Sequence, residues 1–315
     1  MLSRAPLKVV RNWVCDSRQW DDYKPREGDI VIATAPKTGT TWTQHIVNLL
    51  VFQSPEPRPL FELSPWIDCR FMMPIEAMLT TIEAQQHRRF MKSHLPLDAL
   101  PMYEEVRYIH VARAGLDACM SFLNHFNSFL PEAIERFDAI GMADETIGRP
   151  FPRRPHTPRE FFRYWLEGDG KEQGPMMSGT YFDIELSFWR ERERPNLLLV
   201  HYNDLKNDLS GEMKRIAAFL DIETPDALWP ELVEAASFGA MKRDGDVLLE
   251  GLKRGFKDGH QTFLHSGTNQ RWQGVLTEED VKLYEASAEA KLTPGLIRWL
   301  ESGRLAAGDP KSLPD

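Results

Sequence analysis

The sequence predicts an α/β fold of three layers, in which helices flank both faces of a central, mostly parallel sheet. Short apolar and β-branched segments, which are typical of buried strands, occur at residues 29–35, 88–94, 106–113 and 196–202. Two helical patterns present one apolar face each, formed by Trp42, Ile46, Leu49 and Leu50 in the first and by Met213, Ile216, Ala217 and Leu220 in the second. Because strands alternate with helices, a parallel sheet covered on both faces is favoured.

The 315 residues are expected to form a single domain over residues 1–301, with its core at about 28–275. Residues 127–180 contain Pro, Gly and mixed charge, and we interpret them as an excursion over the sheet that is helical in part. Residues 240–275 have few periodic apolar positions and predict a long loop. The tail at residues 302–315 is expected to be frayed.

Composition narrows the classes of function. The chain has 38 Lys and Arg against 47 Asp and Glu, a net charge of −9, which disfavours nucleic acid or an anionic membrane as a partner. Three cysteines stand far apart without metal-ligand spacing, so we expect no metal site and a reducing, cytoplasmic location. No signal peptide is recognised in the first twenty residues, and no run of about 18 apolar residues predicts a membrane span.

The loop at residues 35–41, Ala-Pro-Lys-Thr-Gly-Thr-Thr, leaves a predicted strand and enters a predicted helix. Open backbone N–H groups and the dipole at a helix N-terminus attract anions. Gly39 would let the backbone approach a phosphate, the threonines add hydroxyl donors, and Lys37 adds a positive charge. The plainer interpretation is an ordinary strand–turn–helix with a threonine cap. We favour a P-loop-like nucleotide-binding core.

The order of residues in this loop argues against a metal-dependent NTPase. In a Walker A loop the lysine follows the glycine, and the next hydroxyl holds Mg²⁺. Here Lys37 precedes Gly39, and the neighbouring predicted strands end in His94 and Arg113 instead of an aspartate. A departing phosphate stabilised by lysine therefore fits better than metal-assisted phosphoryl transfer. A P-loop kinase or NTPase stays an alternative, as does a catalytically silent nucleotide-binding protein of the same fold.

Three motifs occur together in the order "PKTGTTW" (36–42), "FMKSHLP" (90–96) and "VARAGLDACMSF" (111–122). In sequence, order and spacing they resemble the cytosolic-type sulfotransferases that depend on 3'-phosphoadenosine 5'-phosphosulfate (PAPS). The similarity continues through "LLLVHYNDLKNDL", "ASFGAMK" and "SGTNQRW" and spans about residues 28–275. Several independent local contexts agree, which makes the combination more specific than any single motif.

The resemblance implies transfer of a sulfuryl group from PAPS to a hydroxyl or amine of an acceptor, with 3',5'-adenosine diphosphate (PAP) as the product and without a metal. Such a transfer needs a base for the acceptor proton and cations for the leaving phosphate. His94, at the end of a predicted strand, is the candidate base. Lys37 would stabilise the departing oxygen, and Lys92, two residues before His94 on the same side of the strand, would contact the transferred group.

The resemblance also implies a nucleotide site. Arg113 and Ser121 would hold the 3'-phosphate, since an Arg fork with a hydroxyl suits a phosphate dianion. Trp42 would stack on the adenine, although a tryptophan in this helix also suits the core. The full set of candidate nucleotide contacts is Lys37, Thr38, Gly39, Thr40, Thr41, Trp42, Arg113, Ser121, Tyr202, Ser237, Phe238, Gly267 and Arg271. Asp117 is expected to face away from the site, towards solvent.

Two segments depart from the family pattern. Ala236-Ser237-Phe238 stands where many relatives have Thr-Ser-Phe, so one hydroxyl contact to the base is missing. His265-Ser266-Gly267 stands where many relatives have an Arg-Lys-Gly triplet that grips the 3'-phosphate. Arg271, or the basic cluster at residues 251–257 with Lys253, Arg254 and Lys257, could restore a cation. That cluster is more often a solvated face.

Aromatic and Met residues gather at 61–74, 121–130, 160–165 and 175–182, where the family shapes an apolar acceptor pocket. Core packing accounts for many of them. Phe71, Met72 and Phe129 are the candidate pocket residues. They favour a small apolar or aromatic acceptor, such as a phenol, a steroid, an alcohol or a lipid-linked sugar. The family's dimerisation signature is not evident near the C-terminus, and a homodimer through another surface stays open.

Overall fold

A parallel sheet of four strands forms the centre of the molecule. The computed structural model describes residues 1–167 and 179–315. The sheet strands are β2 (Ile30–Ala33), β3 (Phe90–Ser93), β5 (Arg107–Ala112) and β6 (Leu197–His201), and a short antiparallel pair is formed by β1 (Leu2–Arg4) and β4 (Met102–Tyr103). The order across the central sheet is β3-β2-β5-β6, with Ile32 opposite Lys92 and Ile109 and with Val111 opposite Val200. All four predicted strands are present within one or two residues of their predicted bounds.

Helices cover the sheet on both faces. Their bounds are α1 Thr40–Phe52, α2 Leu60–Leu63, α3 Ile75–Ala84, α4 Gly115–Asn127, α5 Pro131–Ala143, α6 Pro158–Glu167, α7 Tyr181–Trp189, α8 Tyr202–Asn207, α9 Leu209–Phe219, α10 Trp229–Ala235, α11 Phe238–Arg243, α12 Gly245–Leu248, α13 His260–Leu264, α14 Glu278–Lys291, α15 Pro294–Ser302 and α16 Arg304–Ala307. In the part of the chain that the structure describes, none of these helices has the length and hydrophobicity needed to cross a bilayer.

Successive side chains of each strand point to opposite faces of the sheet, so the core consists of two clusters, one on each face. Val31 and Ala33 of β2 belong to the cluster that α4, α6, α7, α14 and α15 cover. Ile30 and Ile32 of the same strand belong to the cluster packed by α1, α9 and α10. Burying both faces of every strand explains why these segments are continuous apolar runs. The predicted α/β architecture of three layers is thus confirmed.

The segment 240–275, predicted to be a long loop, contains short helices instead. Helix α11 is capped by Ser237, whose Oγ accepts the amide of Ala240 at 3.1 Å. Helices α12 and α13 and a 3-10 turn at residues 252–254 follow. Each element is shorter than two helical turns, so it carries no periodic pattern that a sequence analysis would detect. Its apolar residues, such as Leu248, Leu252 and Phe256, belong to the core cluster that contains Ile30 and Ile32.

The C-terminal residues are packed instead of frayed, contrary to the prediction. The guanidinium of Arg192 donates to the carbonyls of Pro310, at 2.9 Å, and of Leu313, at 3.3 Å. The indole of Trp189 donates to Asp315 at 2.9 Å. Leu313 is buried in the core cluster on that face of the sheet. The prediction was wrong because Trp189 at the end of α7 and Arg192 just after it, more than a hundred residues away, hold a segment that has little helical pattern of its own.

Candidate active site

The carboxyl ends of all four central strands meet at one edge of the sheet, and each end supplies a predicted site residue. Lys37 lies in the loop after β2, His94 directly follows β3, Arg113 follows β5, and Tyr202 follows β6. In open α/β sheets this edge is where ligands bind. The parallel register therefore collects residues that lie up to 165 positions apart in the sequence.

A cavity of about 290 Å³ opens at this edge. The predicted site residues that line it are Lys37, Gly39, Thr40, Thr41, Trp42, Phe71, Met72, Lys92, His94, Arg113, Ser121, Phe129, Tyr202 and Phe238. The candidate catalytic residues, nine of the thirteen candidate nucleotide contacts and the candidate acceptor residues thus share one continuous space. Among residues 1–167 and 179–315, no group of three or more His, Cys, Asp or Glu side chains is arranged to hold a metal ion.

The loop before α1 has the backbone that an anion site needs. Gly39 has a φ of 124°, and a Cβ there would lie 3.2 Å from the ring of Tyr202 and 3.3 Å from Val111. Lys37 has a φ of 69°, an uncommon value for a residue with a side chain. No side chain caps the N-terminus of α1, so its first amide groups stay open to a ligand.

His94 is fixed by one hydrogen bond that decides its tautomer. Its Nδ1 lies 2.8 Å from the carbonyl oxygen of Thr34, so Nδ1 carries the proton and Nε2 keeps a free lone pair. Burial lowers the pKa of His94 well below its usual range, and the charge of Lys92 lowers it further. The ring is therefore neutral at neutral pH and able to accept a proton at Nε2.

Two lysines line the cavity beside this histidine. Burial, followed by the charges of Lys92, Arg113 and Arg271, lowers the pKa of Lys37 to about 7. Burial also lowers the pKa of Lys92. The ammonium of Lys37 lies 4.4 Å from the centre of the Phe263 ring, and that of Lys92 lies 4.3 Å from the Trp66 ring. The two cations are held against aromatic faces.

Trp66, which the sequence analysis did not single out, also positions His94. Its ring packs edge-on against the imidazole of His94 at 4.9 Å, and its Nε1 donates to the buried carboxylate of Asp68 at 2.8 Å. The same carboxylate accepts the amide of His94 at 3.4 Å. Position 66 lies inside the aromatic segment 61–74, which was the available signal for it.

Arg113 joins the strand edge to the loop at residues 265–271. It donates to the carbonyl of Thr268 at 3.0 Å and to Oδ1 of Asn269 at 2.8 Å, and its guanidinium lies 4.2 Å from the Tyr202 ring centre. Its Nε is buried and has no partner among the described residues. Arg271 donates to Nδ1 of His265 at 2.7 Å. Arg271 is close enough to Arg113 for their charges to interact, but it is not among the residues that line the cavity.

Asp117 is buried, contrary to the prediction that it faces solvent. Only 5% of the residue is exposed, and its carboxylate accepts the amide of Gln270 at 2.5 Å. Burial raises the pKa of this carboxyl, while Arg113 opposes the change. The loop at 265–271 folds over α4, and that contact, between residues 153 positions apart, removes Asp117 from the surface.

Some predicted nucleotide contacts do not line the cavity. The hydroxyl of Thr38 donates to Ala35 O at 2.9 Å, and Ser237 caps α11. Gly267 accepts from the Tyr202 hydroxyl at 3.3 Å, and a Cβ there would lie 2.8 Å from the Phe238 ring. Trp42, in contrast, both lines the cavity and is anchored, since its Nε1 donates to Ala236 O at 2.8 Å.

Phenylalanine dominates the remaining wall. Phe71, Met72 and Phe129, the candidate acceptor residues, line the cavity, and Met72 is half exposed at 49%. Further wall residues that the prediction did not name include Phe122, His125, Phe126, Phe137, Phe151, Arg154, Phe256 and Phe263. Of the predicted segment 175–182, residues 175–178 lie outside the described part of the chain.

Comparison with known proteins identifies the family of this chain. A model of the sulfotransferase domain matches residues 27–294. The chain belongs to the sulfotransferase family. The match extends the similarity that the motifs indicated, and it makes the chain a transferase.

Individual relatives agree with that assignment. The sulfotransferase is 34% identical to a glycolipid sulfotransferase of Mycobacterium tuberculosis over an alignment of 309 residues, and the alignment covers 94% of each chain. It is 26% identical to sulfotransferase 1B1 of Mus musculus, over 92% of this chain and 93% of that one. A crystal structure of retinol dehydratase with androsterone and the inactive cofactor PAP aligns with a TM-score of 0.67 at 20% identity, covering 88% and 84% of the two chains. The last comparison supports the fold.

Proposed function

We propose that this sulfotransferase moves the sulfuryl group of PAPS to a hydroxyl, or an amine, of a small apolar or amphiphilic acceptor. The observation that carries the proposal is the convergence of Lys37, Lys92 and His94 on one cavity at the carboxyl edge of the sheet. Two cations beside one neutral imidazole supply what sulfuryl transfer requires, which is charge stabilisation for the leaving phosphate and a base for the incoming hydroxyl.

The residues around the cavity fit a nucleotide with phosphates at two positions. The open N-terminus of α1, with Lys37, Thr40 and Thr41, suits the 5'-phosphosulfate. Arg113, with its unpartnered Nε, lies with Ser121 and suits the 3'-phosphate. Trp42 and Phe238 supply aromatic faces for adenine. The crystal structure of retinol dehydratase, which holds PAP, has the same fold.

In the proposed reaction His94 takes the proton of the acceptor hydroxyl through Nε2. The acceptor oxygen then forms a bond to sulfur as the bond between sulfur and the 5'-phosphate oxygen breaks, and PAP is the leaving group. Lys37, which is charged below its pKa of about 7, stabilises the oxygen that departs. Lys92, which lines the cavity together with His94, neutralises charge on the transferred group. A bound polyanion opposes the two lysine charges, which raises the pKa of His94 towards the range where it is an effective base.

The acceptor is proposed to be an amphiphile. The aromatic wall of Phe71, Phe126 and Phe129 suits an apolar body, and half-exposed Met72 marks the cavity's opening. The relative that is 34% identical is called a glycolipid sulfotransferase. A hydroxyl on a lipid-linked sugar or an aromatic alcohol fits both observations.

Two measurements test this function. Calorimetry should show that PAP binds at least about tenfold more tightly than 5'-AMP, because a second phosphate adds charge-assisted hydrogen bonds. Radioactive sulfate from PAPS should appear on 2-naphthol or octyl glucoside, and the His94→Ala variant should lose that transfer. Preference for ATP, with Mg²⁺-dependent cleavage, would overturn the proposal in favour of an NTPase. Tight PAP binding without transfer to a broad acceptor panel would favour a silent nucleotide-binding protein.

A further inference from the structure

His125 is a second histidine of the cavity wall, and the proposed reaction leaves it without a role. It lies in the last turn of α4 and lines the same cavity as His94. Five phenylalanine rings surround its imidazole, with centroids between 4.9 and 6.1 Å away: Phe122, Phe126, Phe129, Phe256 and Phe263. An imidazole surrounded by phenylalanine rings calls for an explanation, because desolvated polar groups without partners destabilise a protein.

The tautomer of His125 follows from its surroundings. Nδ1 is buried and has no hydrogen-bond partner in residues 1–167 and 179–315. A bare nitrogen at that position costs less than an unsatisfied N–H group, so the proton of the neutral ring belongs on Nε2. Burial lowers the pKa of His125 well below its usual range, and the charges of Lys37 and Lys92 add to the effect, which keeps the ring neutral.

We propose that Nε2–H of His125 donates a hydrogen bond to a second oxygen of the acceptor, which makes His125 a specificity residue for oxygenated amphiphiles. The assignment deepens the proposed function and rests on it. The two histidines of the cavity then have opposite tautomers and opposite tasks. His94 presents a lone pair to the hydroxyl that reacts, whereas His125 presents a proton to an oxygen that does not react. A site built to hydrogen-bond an oxygen discriminates against analogues that lack it.

The test compares acceptors that differ by one oxygen. Binding of 2-naphthol, 2,6-dihydroxynaphthalene and 2,7-dihydroxynaphthalene to the PAP-bound protein is measured by calorimetry. The better diol should bind roughly tenfold more tightly than 2-naphthol, after correction for equivalent hydroxyls. His125→Phe, which keeps a ring of similar size, should reduce that ratio to about one. His125→Gln, which retains an N–H donor, should keep part of it.

A matched control and a readout on the unaltered protein complete the design. His87 also packs against two phenylalanines, Phe52 at 5.0 Å and Phe90 at 5.7 Å, and it is not part of the cavity wall, so His87→Phe should leave the diol preference unchanged. In the unaltered protein, ¹⁵N NMR should find the His125 proton on Nε2, with a shift when the diol is added and none with 2-naphthol.

Each outcome decides the matter. Equal binding of mono-ol and diol, no binding of either, a diol preference that survives His125→Phe, or a proton on Nδ1 of His125 would overturn the inference. The binding and NMR arms require no turnover. A wild-type protein that binds the diol through His125 but moves no sulfate from PAPS would therefore count against the proposed function alone.

Discussion

The imidazole Nδ1 of His94 lies 2.8 Å from the backbone carbonyl of Thr34, the residue that follows the neighbouring strand β2. Because a backbone carbonyl can only accept, this contact leaves Nε2 as the basic nitrogen. The imidazole of His94, the candidate base, is thus oriented by a main-chain group that no side-chain substitution can remove. Pairing of β2 with β3 in parallel register brings the two residues together.

Replacement of His94 by alanine should lower kcat by about 10² to 10⁴, the usual contribution of a general base. The dissociation constant of PAP should change little, because the role proposed for His94 is on the acceptor side. Steady-state kinetics with PAPS and calorimetry with PAP measure the two quantities. His87→Ala is the control, since His87 does not line the cavity. Normal turnover of His94→Ala would remove the base assignment.

Lys37 should take up a proton when PAP binds at pH 8. Its pKa of about 7 leaves most of the free protein with a neutral amine at that pH. The bound phosphates favour the charged form and raise the pKa, so protons are absorbed between pH 7 and about 10, and little is absorbed from Lys37 at pH 6, where it is already charged. Calorimetry in phosphate and in Tris, whose ionisation enthalpies differ, counts these protons.

The matched variant for that experiment is Lys37→Arg, which keeps a charge at every accessible pH. Its proton uptake at pH 8 should fall, because an arginine at this position is already charged in the free protein. The phosphates themselves contribute little at pH 8, because their second pKa is about 6. Equal proton uptake by the variant and the original protein would show that Lys37 is not the group that titrates.

The fold was predictable where one physical rule dominated. The segment at 106–113 is apolar and β-branched because both of its faces are buried, and β5 forms at Arg107–Ala112. The motif residues Lys37, His94 and Arg113 were predictable for a related reason. Each follows a buried strand, and parallel strands bring their carboxyl ends to the same edge.

The features that could not be predicted from the sequence depend on contacts between residues that are distant in sequence. The sequence predicts that Asp117 faces solvent, but in the structure the loop at 265–271 covers it. The sequence predicts that Leu313 belongs to a frayed end, but in the structure Arg192 donates a hydrogen bond to its carbonyl. The environment of His125 depends on Phe256 and Phe263, which come from a segment without periodicity. Local patterns carry no information on such partners, and tertiary packing decides their positions.

Arg271 should carry part of the preference for a 3'-phosphorylated nucleotide. It lies near enough to Lys37 and Arg113 for charge interactions, and it stands in a loop where His265-Ser266 replaces the two cations that many relatives have. Arg271→Gln should reduce the ratio of PAP to 5'-AMP affinity roughly tenfold and leave 5'-AMP binding nearly unchanged. Calorimetry measures both. Arg243→Gln, which alters an exposed arginine paired with Asp244, is the control, and an unchanged ratio in Arg271→Gln would assign the 3'-phosphate to Arg113 and Ser121 alone.

Asp117 should support nucleotide binding without touching the nucleotide. Its carboxylate accepts the amide of Gln270, a residue with a φ of 62°, and so holds the strained turn that leads into Arg271. Asp117→Ala leaves that amide without its partner, so the loop at 265–271 should become mobile and PAP affinity should fall about tenfold. Hydrogen exchange should show faster exchange of the Gln270 amide, whereas exchange in the central strands should not change.

Asp117→Asn separates the hydrogen bond from the charge, since the amide oxygen of asparagine can still accept from Gln270. If the loop is held by geometry, Asp117→Asn should retain most of the PAP affinity that Asp117→Ala loses. If the carboxylate acted mainly by opposing the charge of Arg113, both variants would instead bind the anionic nucleotide more tightly, because a negative charge near the site would be gone. A fall in PAP affinity in Asp117→Ala would therefore show that Asp117 holds the loop in place. A rise in affinity in both variants would show that its negative charge weakens binding of the nucleotide.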